Sequence, residues 1–171
     1  MNDEKDPIQS ALSVANLFWP EFVVVDDLIF FSWAAPDSVN LEQWHGRTEV
    51  ESFLNHTHVL YLFGHGASLD EKPWWNQNHP DFLKACKFGS AWAEAIATKL
   101  AKDFPERRFF VYYTEQDNPI VRFHQEHTGE IPWLRVEDRQ EDIAAGSVII
   151  YQVCGYNNSL QQTCLTVTRL T

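Results

Sequence analysis

The sequence has few cysteines, no long apolar run and no obvious leader. Cys86, Cys154 and Cys164 are the 3 cysteines among 171 residues, and no two form a C-x-x-C pair. This argues against both a disulfide framework and a zinc ribbon. No apolar run approaches the ~20 residues that a membrane-spanning helix needs. The N-terminal MNDEKDPIQS lacks the basic and apolar regions of a signal peptide. We therefore expect a cytoplasmic protein that contacts no membrane.

Basic residues are also scarce. The chain has 13 lysines and arginines against 24 aspartates and glutamates, which gives a net charge of −11. Residues 1–57 hold ten of the acids and two of the bases, a net of −8. Such a field repels phosphates, and no basic stripe offsets it, so we predict no nucleic-acid partner. The field favours a basic protein partner, although high net charge can also do no more than keep a domain in solution.

Sequence motifs of common catalytic sites are missing as well. The sequence contains no P-loop, no G-x-G-x-x-G, no G-x-S-x-G, no S-x-x-K and no H-E-x-x-H. Gly64-His65-Gly66 is followed by a Pro-Trp segment and not by a helix start, so a phosphate site there is not favoured. We predict no cofactor and assign no catalytic residue, which leans against an enzyme.

The seven histidines are the strongest argument for an alternative. His56 and His58 have the spacing that places two imidazoles on one face of a strand, and His124 and Glu126 share a face of a later strand. If those strands were neighbours, the four side chains could meet. No motif demands such a site, so we predict no metal at His56, His58 or His124. The alternative is a small, metal-assisted hydrolase that uses histidines and carboxylates.

The pattern of apolar residues predicts one α+β domain over residues 7–171, after a flexible tail over 1–6. It consists of a mostly antiparallel sheet of about six to seven strands, with two or three helices mainly on one face. Trp92 is the expected core anchor of the longest helix, and Cys86 lies on the same apolar stripe. The predicted helices start at Pro7 and about Asn40 and cover 80–103 and about 138–145. The predicted strands cover 22–33 as a hairpin, 56–63, 107–114, 119–126, 147–154 and 164–170.

Aromatic residues make up 14% of the chain, which is the most unusual feature of its composition. Most lie within strand patterns, but Trp74 and Trp75 are adjacent in the loop KPWWNQNHP, where only one can easily face inward. The other is a candidate interface anchor, unless the loop folds over the core. Acidic residues supply the second part of the predicted partner-binding site. They are Asp26, Asp27, Glu42 and Glu49, within a wider acidic region that includes Glu21, Asp37 and Glu51.

These features favour a non-enzymatic, acidic protein-binding domain. An immunity or inhibitor protein that neutralises a basic nuclease or other toxin has this physical profile, because acidity speeds encounter with a basic partner and aromatic anchors hold the complex. Two hypotheses from other classes stay open. One is the small hydrolase, and the other is a homo-oligomeric domain that buries its aromatic residues between copies.

Overall fold

The computed structural model describes residues 6–63, 76–116, 118–154 and 166–170, with side chains in the last range only from 169 onward. Its helices are α1 (Pro7–Phe18), α2 (Arg47–Leu54), α3 (Val59–Leu62), α4 (Pro80–Asp103) and α5 (Gln140–Ala145). Its strands are β1 (Phe22–Val25), β2 (Leu28–Phe31), β3 (Thr57–His58), β4 (Phe109–Thr114), β5 (Ile120–Gln125), β6 (Val148–Cys154) and β7 (Thr166–Leu170). Residues 1–5 of the predicted tail lie outside the described ranges.

The described strands form two antiparallel sheets, which confirms the predicted α+β class. Five strands pair in the order β3-β5-β4-β6-β7, and β1 pairs with β2 in a two-stranded sheet. The hairpin of β4 and β5 is confirmed, as is the pairing of β6 with β7. β6 lies between β4 and β7, as its continuous apolar sequence predicted, and the alternating β7 lies at the sheet edge.

Helix α4 forms the main core with one face of the five-stranded sheet. Pro80 suits its first turn, and the ring of His79, rather than the expected Asn78, caps the helix by accepting the Asp81 N–H. The stripe that includes Trp92 is buried against β4, β5 and β6. Trp92 is 0% exposed, and its indole N–H donates to the Leu17 carbonyl of α1 at 2.7 Å. The predicted role of Trp92 as a core residue is confirmed.

The other face of the five-stranded sheet is covered by the chain before β6. Tyr112 and Ile150 on this face contact Leu134, Val136 and Ile143, so α5 lies opposite α4. Both faces of the central strands are therefore apolar and buried, as continuous hydrophobic runs require. Within the described ranges no helix combines the length and apolar character that crossing a bilayer demands.

The turn between β1 and β2 consists of Asp26 and Asp27. Their φ angles are +51° and +66°, the left-handed conformation that a tight two-residue hairpin turn needs at both central positions. Aspartate tolerates this conformation better than most residues. The Asp26 carboxylate also accepts the Val39 N–H at 2.8 Å, which ties the turn to the following segment.

The predicted second helix is divided in two. Asn40 caps a short 3-10 turn over Leu41–Gln43, and α2 begins only after Gly46. A Cβ on Gly46 would lie 2.9 Å from a carboxylate oxygen of Glu130. Glu130 accepts the N–H groups of Arg47 and Thr48 and so caps α2 from a distant part of the chain. A side chain at position 46 would have to displace this capping carboxylate.

The prediction of a strand over 56–63 is largely wrong. Only Thr57 and His58 pair with β5, opposite Val121 and Ile120, and Val59–Leu62 forms one helical turn. The next partner along β5 would be Pro119, which has no N–H to continue the ladder. Its carbonyl still accepts the Val59 N–H at 2.8 Å, after which the chain turns away.

Candidate protein-binding surface

Five rings contact one another in a row across α2, β3 and α3, and we call this row the aromatic strip. Neighbouring ring centroids are 4.9–5.5 Å apart in the order Trp44, Phe53, His56, His58 and Tyr61. Phe53 is 53% exposed and Tyr61 is 43% exposed, while the other three are half-buried. A connected row of partly exposed rings is the composition that protein interfaces favour.

The buried face of α2 and the short β3 fix the position of the strip. Val50 and Glu51 on α2 face inward and are 0% exposed, which turns Phe53 outward. The His56 ring hydrogen-bonds the Phe53 carbonyl through Nδ1, which holds the ring where α2 ends. His58 then lies on β3 at the edge of the sheet, and the turn of α3 brings Tyr61 beside it.

Predicted acidic residues flank the strip. Glu49 lies one helical turn before Phe53, so the two share a face of α2. Its carboxylate accepts the His45 backbone N–H at 2.6 Å, and this bond and the His45 ring lower the pKa of Glu49. Glu42 is exposed in the 3-10 turn two residues before Trp44. The two acids therefore lie on separate elements and not on the single helix that was predicted to start at about Asn40.

The two aspartates of the hairpin turn are exposed, but they also serve the fold. The Asp27 carboxylate contacts the guanidinium groups of Arg47 at 3.2 Å and Arg107 at 2.8 Å. Because Arg47 opens α2, Asp27 lies close to the helix that carries Glu49. Arg47 and Arg107 therefore offset the charge of Asp27 near the start of α2.

Glu51 is not a surface acid, contrary to the sequence-based expectation. It is 0% exposed, and its carboxylate accepts four bonds from N–H groups. The donors are Ile29 N at 2.7 Å, Gln125 N at 2.7 Å, Gln125 Nε2 at 2.7 Å and His127 Nε2 at 2.9 Å. One carboxylate therefore joins α2 to both β2 and β5, which belong to different sheets.

Asn55 repeats this bridge one turn further along. Its side-chain oxygen accepts the Phe31 N–H at 3.0 Å, and its amide group donates to the carbonyl of Ile29 at 2.8 Å and of Phe123 at 3.5 Å. Glu51 and Asn55 thus occupy the place of a strand between β2 and β5. They satisfy edge groups that would otherwise be buried without partners.

Of the histidines proposed to converge, His56 and His58 are neighbours in the strip, but His124 lies apart from them. His58 is opposite Ile120, whereas His124 is four residues along β5, roughly 13 Å away at the usual rise per residue. Glu126 pairs with Arg108 at 3.1 Å. Within the described ranges no group of three or more His, Cys, Asp or Glu is arranged to hold a metal ion. Trp74, Trp75, His65 and Cys164 lie outside those ranges, so the structure does not place the predicted Trp loop.

His124 is a buried structural residue. It is 1% exposed, and its Nε2 lies 2.8 Å from the Tyr112 hydroxyl and 3.2 Å from the Trp133 N–H, while Nδ1 contacts the Gln125 carbonyl. Burial lowers the pKa of His124 to about 4, so the ring is neutral at pH 7. Cys86 is also buried, and burial raises the pKa of its thiol to about 11. Neither environment favours a nucleophile or a general base.

The aromatic strip was missed because its members come from three short elements. One signal was available: Val50, Glu51 and Leu54 define an inward face at helical spacing, which leaves Phe53 outside that face. An acid within that face also points to a buried carboxylate. Comparison of the chain with protein-family models, with curated proteins and with solved structures finds no match.

Proposed function

We propose that this chain is a non-enzymatic, acidic protein-binding domain of the inhibitor or immunity type, which binds a basic protein in the cytoplasm. The observation that carries the proposal is the aromatic strip, in which Phe53 is the most exposed ring, with Glu49 beside it on α2. Rings that are partly exposed but held by their neighbours lose little side-chain entropy on binding, so they are effective anchors.

Charge supports a basic partner. The net charge is −11, and the third of the chain that contains most of the strip carries −8 of it. Such a field attracts a cationic protein and raises the association rate. Once the complex forms, burial of the rings would govern how slowly it dissociates.

The internal polar groups support a non-enzymatic role. The carboxylate of Glu51 accepts four N–H bonds within the fold, and His124 is enclosed by Tyr112, Trp133 and Gln125. Both side chains are used to hold elements together. This arrangement gives no support to the alternative in which these groups act on a substrate.

Site-specific photo-crosslinking in the native cell tests the proposal. A benzophenone amino acid replaces Phe53 in the full chain, and the same amino acid at Leu83 is the matched control. Leu83 is 51% exposed on α4, close to the 53% of Phe53. We expect the Phe53 position to capture a protein with an isoelectric point above about 9, the usual mark of a strongly basic chain. We expect the Leu83 position not to capture it.

Three outcomes would overturn the proposal. Capture of an acidic protein would remove the electrostatic argument, and equal capture from both positions would remove the strip as the binding surface. A crosslink to a second copy of the chain would instead favour the homo-oligomeric hypothesis. Metal analysis of the purified protein addresses the hydrolase separately, because a stoichiometric transition metal lost in His58→Ala would favour that class.

A further inference from the structure

A cavity of about 430 Å³ lies at the opposite face of the sheet from α4. It is bounded by the ends of β4, β5 and β6 and by the chain that leads into α5. Its volume is within the range of small-molecule sites, roughly 300–1,000 Å³. The residues that matter for its chemistry are Ile120, Arg122, Trp133, Leu134, Arg139 and Val148.

Arg122 is the unusual member of this cavity. It lies on β5 opposite Tyr112 and is half-buried, with its guanidinium carbon 4.3 Å from the centroid of the Trp133 ring. The guanidinium makes no hydrogen bond or ion pair with any residue that the structure describes. Burial lowers the pKa of Arg122 to about 10. An arginine held in this way has all its hydrogen-bond donors available for a ligand.

The other charged groups of the cavity are already occupied. Arg139 pairs with Asp142 at 3.3 Å. The carboxylate of Glu115 accepts the hydroxyl of Tyr113, whose side chain faces α4 on the other side of the sheet. His58 lies on the edge side, where burial lowers the pKa of its ring, with smaller effects from His56 and Arg122, and it supplies no negative charge. Among the described residues that line the cavity, Arg122 therefore carries the one positive charge that no carboxylate pairs with.

We propose that this cavity binds a small organic monocarboxylate. The carboxylate would form a bidentate pair with the guanidinium of Arg122, the geometry that this side chain favours. The apolar body of the ligand would lie against Leu134, Val148 and Ile120, with the Trp133 ring holding the guanidinium plane. The single positive charge of Arg122 neutralises a monoanion. It would neutralise only half the charge of a phosphate dianion, and the remaining charge would be repelled by a molecule of net charge −11.

Calorimetric titration of the full chain with benzoate, hexanoate and indole-3-acetate tests the proposal, and benzamide is the neutral match of benzoate. We expect at least one of the carboxylates to bind with a Kd below about 5 mM, and benzamide to bind about tenfold more weakly than benzoate if benzoate is that ligand. The indole N–H resonance of Trp133 should shift in the same titration. Inorganic phosphate should give no saturable signal.

Two variants assign the binding to the cavity. Arg122→Gln should weaken carboxylate binding about tenfold or more, since it removes the paired charge. Arg139→Gln should change it less than about threefold, because that cation already pairs with Asp142. The proposal is overturned if none of the three carboxylates binds with a Kd below about 5 mM, if benzamide binds as tightly as a saturating benzoate, or if Arg122→Gln retains full affinity. If Arg122→Gln fails to fold, the comparison of benzoate with benzamide on the unmodified chain still decides.

Discussion

The carboxylate of Glu51 accepts both the backbone and the side-chain N–H of Gln125, each at 2.7 Å. Gln125 ends β5, where β3 has already stopped pairing, so its backbone N–H faces α2 and not a strand. The same carboxylate accepts the Ile29 N–H of β2. A helix side chain thus joins two sheets that share no strand, and it fixes the orientation of the helix that presents the aromatic strip.

Glu51→Gln should destabilise the protein by about 2–4 kcal/mol. The substitution removes the charge and turns an NH₂ group toward N–H donors, which leaves buried groups without acceptors. Urea unfolding followed by far-UV circular dichroism measures the loss. The control is Glu49→Gln, which lies two residues earlier on α2 at the surface and should barely move the unfolding midpoint. Equal midpoints for Glu51→Gln and the unmodified chain would show that the network does not hold the sheets together.

The elements that sequence periodicity defines well were predicted correctly. α4 has a long apolar stripe, and the hairpins of β4 with β5 and β6 with β7 have clear β-branched and aromatic runs. Failures occurred where a distant residue decides the local structure. Glu130 caps α2 from 83 positions away, which divides the predicted helix, and Pro119 ends the pairing of β3. In both cases the residue that decides the structure lies far along the sequence from the segment that it changes.

Trp92→Ala should cost about 3–5 kcal/mol, since it removes a fully buried ring from the centre of the main core. Trp92→Phe should cost less, because it keeps an aromatic ring but loses the N–H bond to the Leu17 carbonyl. Leu83→Ala on the same helix is the control and should change stability by less than about 0.5 kcal/mol, as is usual for exposed positions. Chemical denaturation of the three variants makes the comparison. A loss below about 1 kcal/mol in Trp92→Ala would contradict the packing of α4.

Stability should fall as the pH drops from about 6.5 toward 4. The pKa of His124 is about 4 in the folded state, below the value of about 6.5 for an exposed histidine, so the unfolded chain binds a proton that the folded chain does not. The stabilising contribution is complete above pH 6.5, and about 2 kcal/mol of it is lost by pH 4.5. Urea unfolding at pH 7.0, 5.5 and 4.5 measures this dependence.

His124→Gln removes the titrating group, so its stability should depend less steeply on pH than that of the unmodified chain. His45→Gln is the control, because the His45 side chain is 95% exposed, and it should retain the original dependence between pH 7.0 and 5.5, where its partner Glu49 stays ionised. If the free energy of unfolding depends on pH in the same way for His124→Gln and the unmodified protein, His124 is not held neutral by burial.

The candidate site was less predictable than the fold. Acidity and aromatic content indicated a binding surface, and Glu42 and Glu49 do lie beside exposed rings. The rings themselves come from α2, β3 and α3, and only the early end of β3 brings Tyr61 next to His58. Arg122 gave no signal either, because an arginine in a strand pattern looks like an ordinary surface residue until its surroundings are known.

Association with the captured partner should slow as salt rises, because the screening length falls from about 10 Å at 0.1 M to about 3 Å at 1 M. Glu42→Lys should lower the association rate several-fold, whereas Glu141→Lys, the same charge change on α5, should have a smaller effect. Glu42 suits the test better than Asp27, whose carboxylate pairs with Arg47 and Arg107. Stopped-flow mixing over a salt series measures these rates. If neither added salt nor Glu42→Lys changes the association rate, the acidic residues have no role in binding.

The most direct test of the protein-binding surface compares Phe53→Ala with Leu83→Ala in surface plasmon resonance against the captured basic partner. Both residues are apolar and similarly exposed, at 53% and 51%, but only Phe53 belongs to the aromatic strip. If the strip anchors the complex, Phe53→Ala weakens binding by about 30-fold, the effect of a typical hot-spot residue, mainly through faster dissociation. Leu83→Ala then stays within about twofold of the unmodified chain. Equal affinities for the two variants would contradict the assignment of this surface to partner binding.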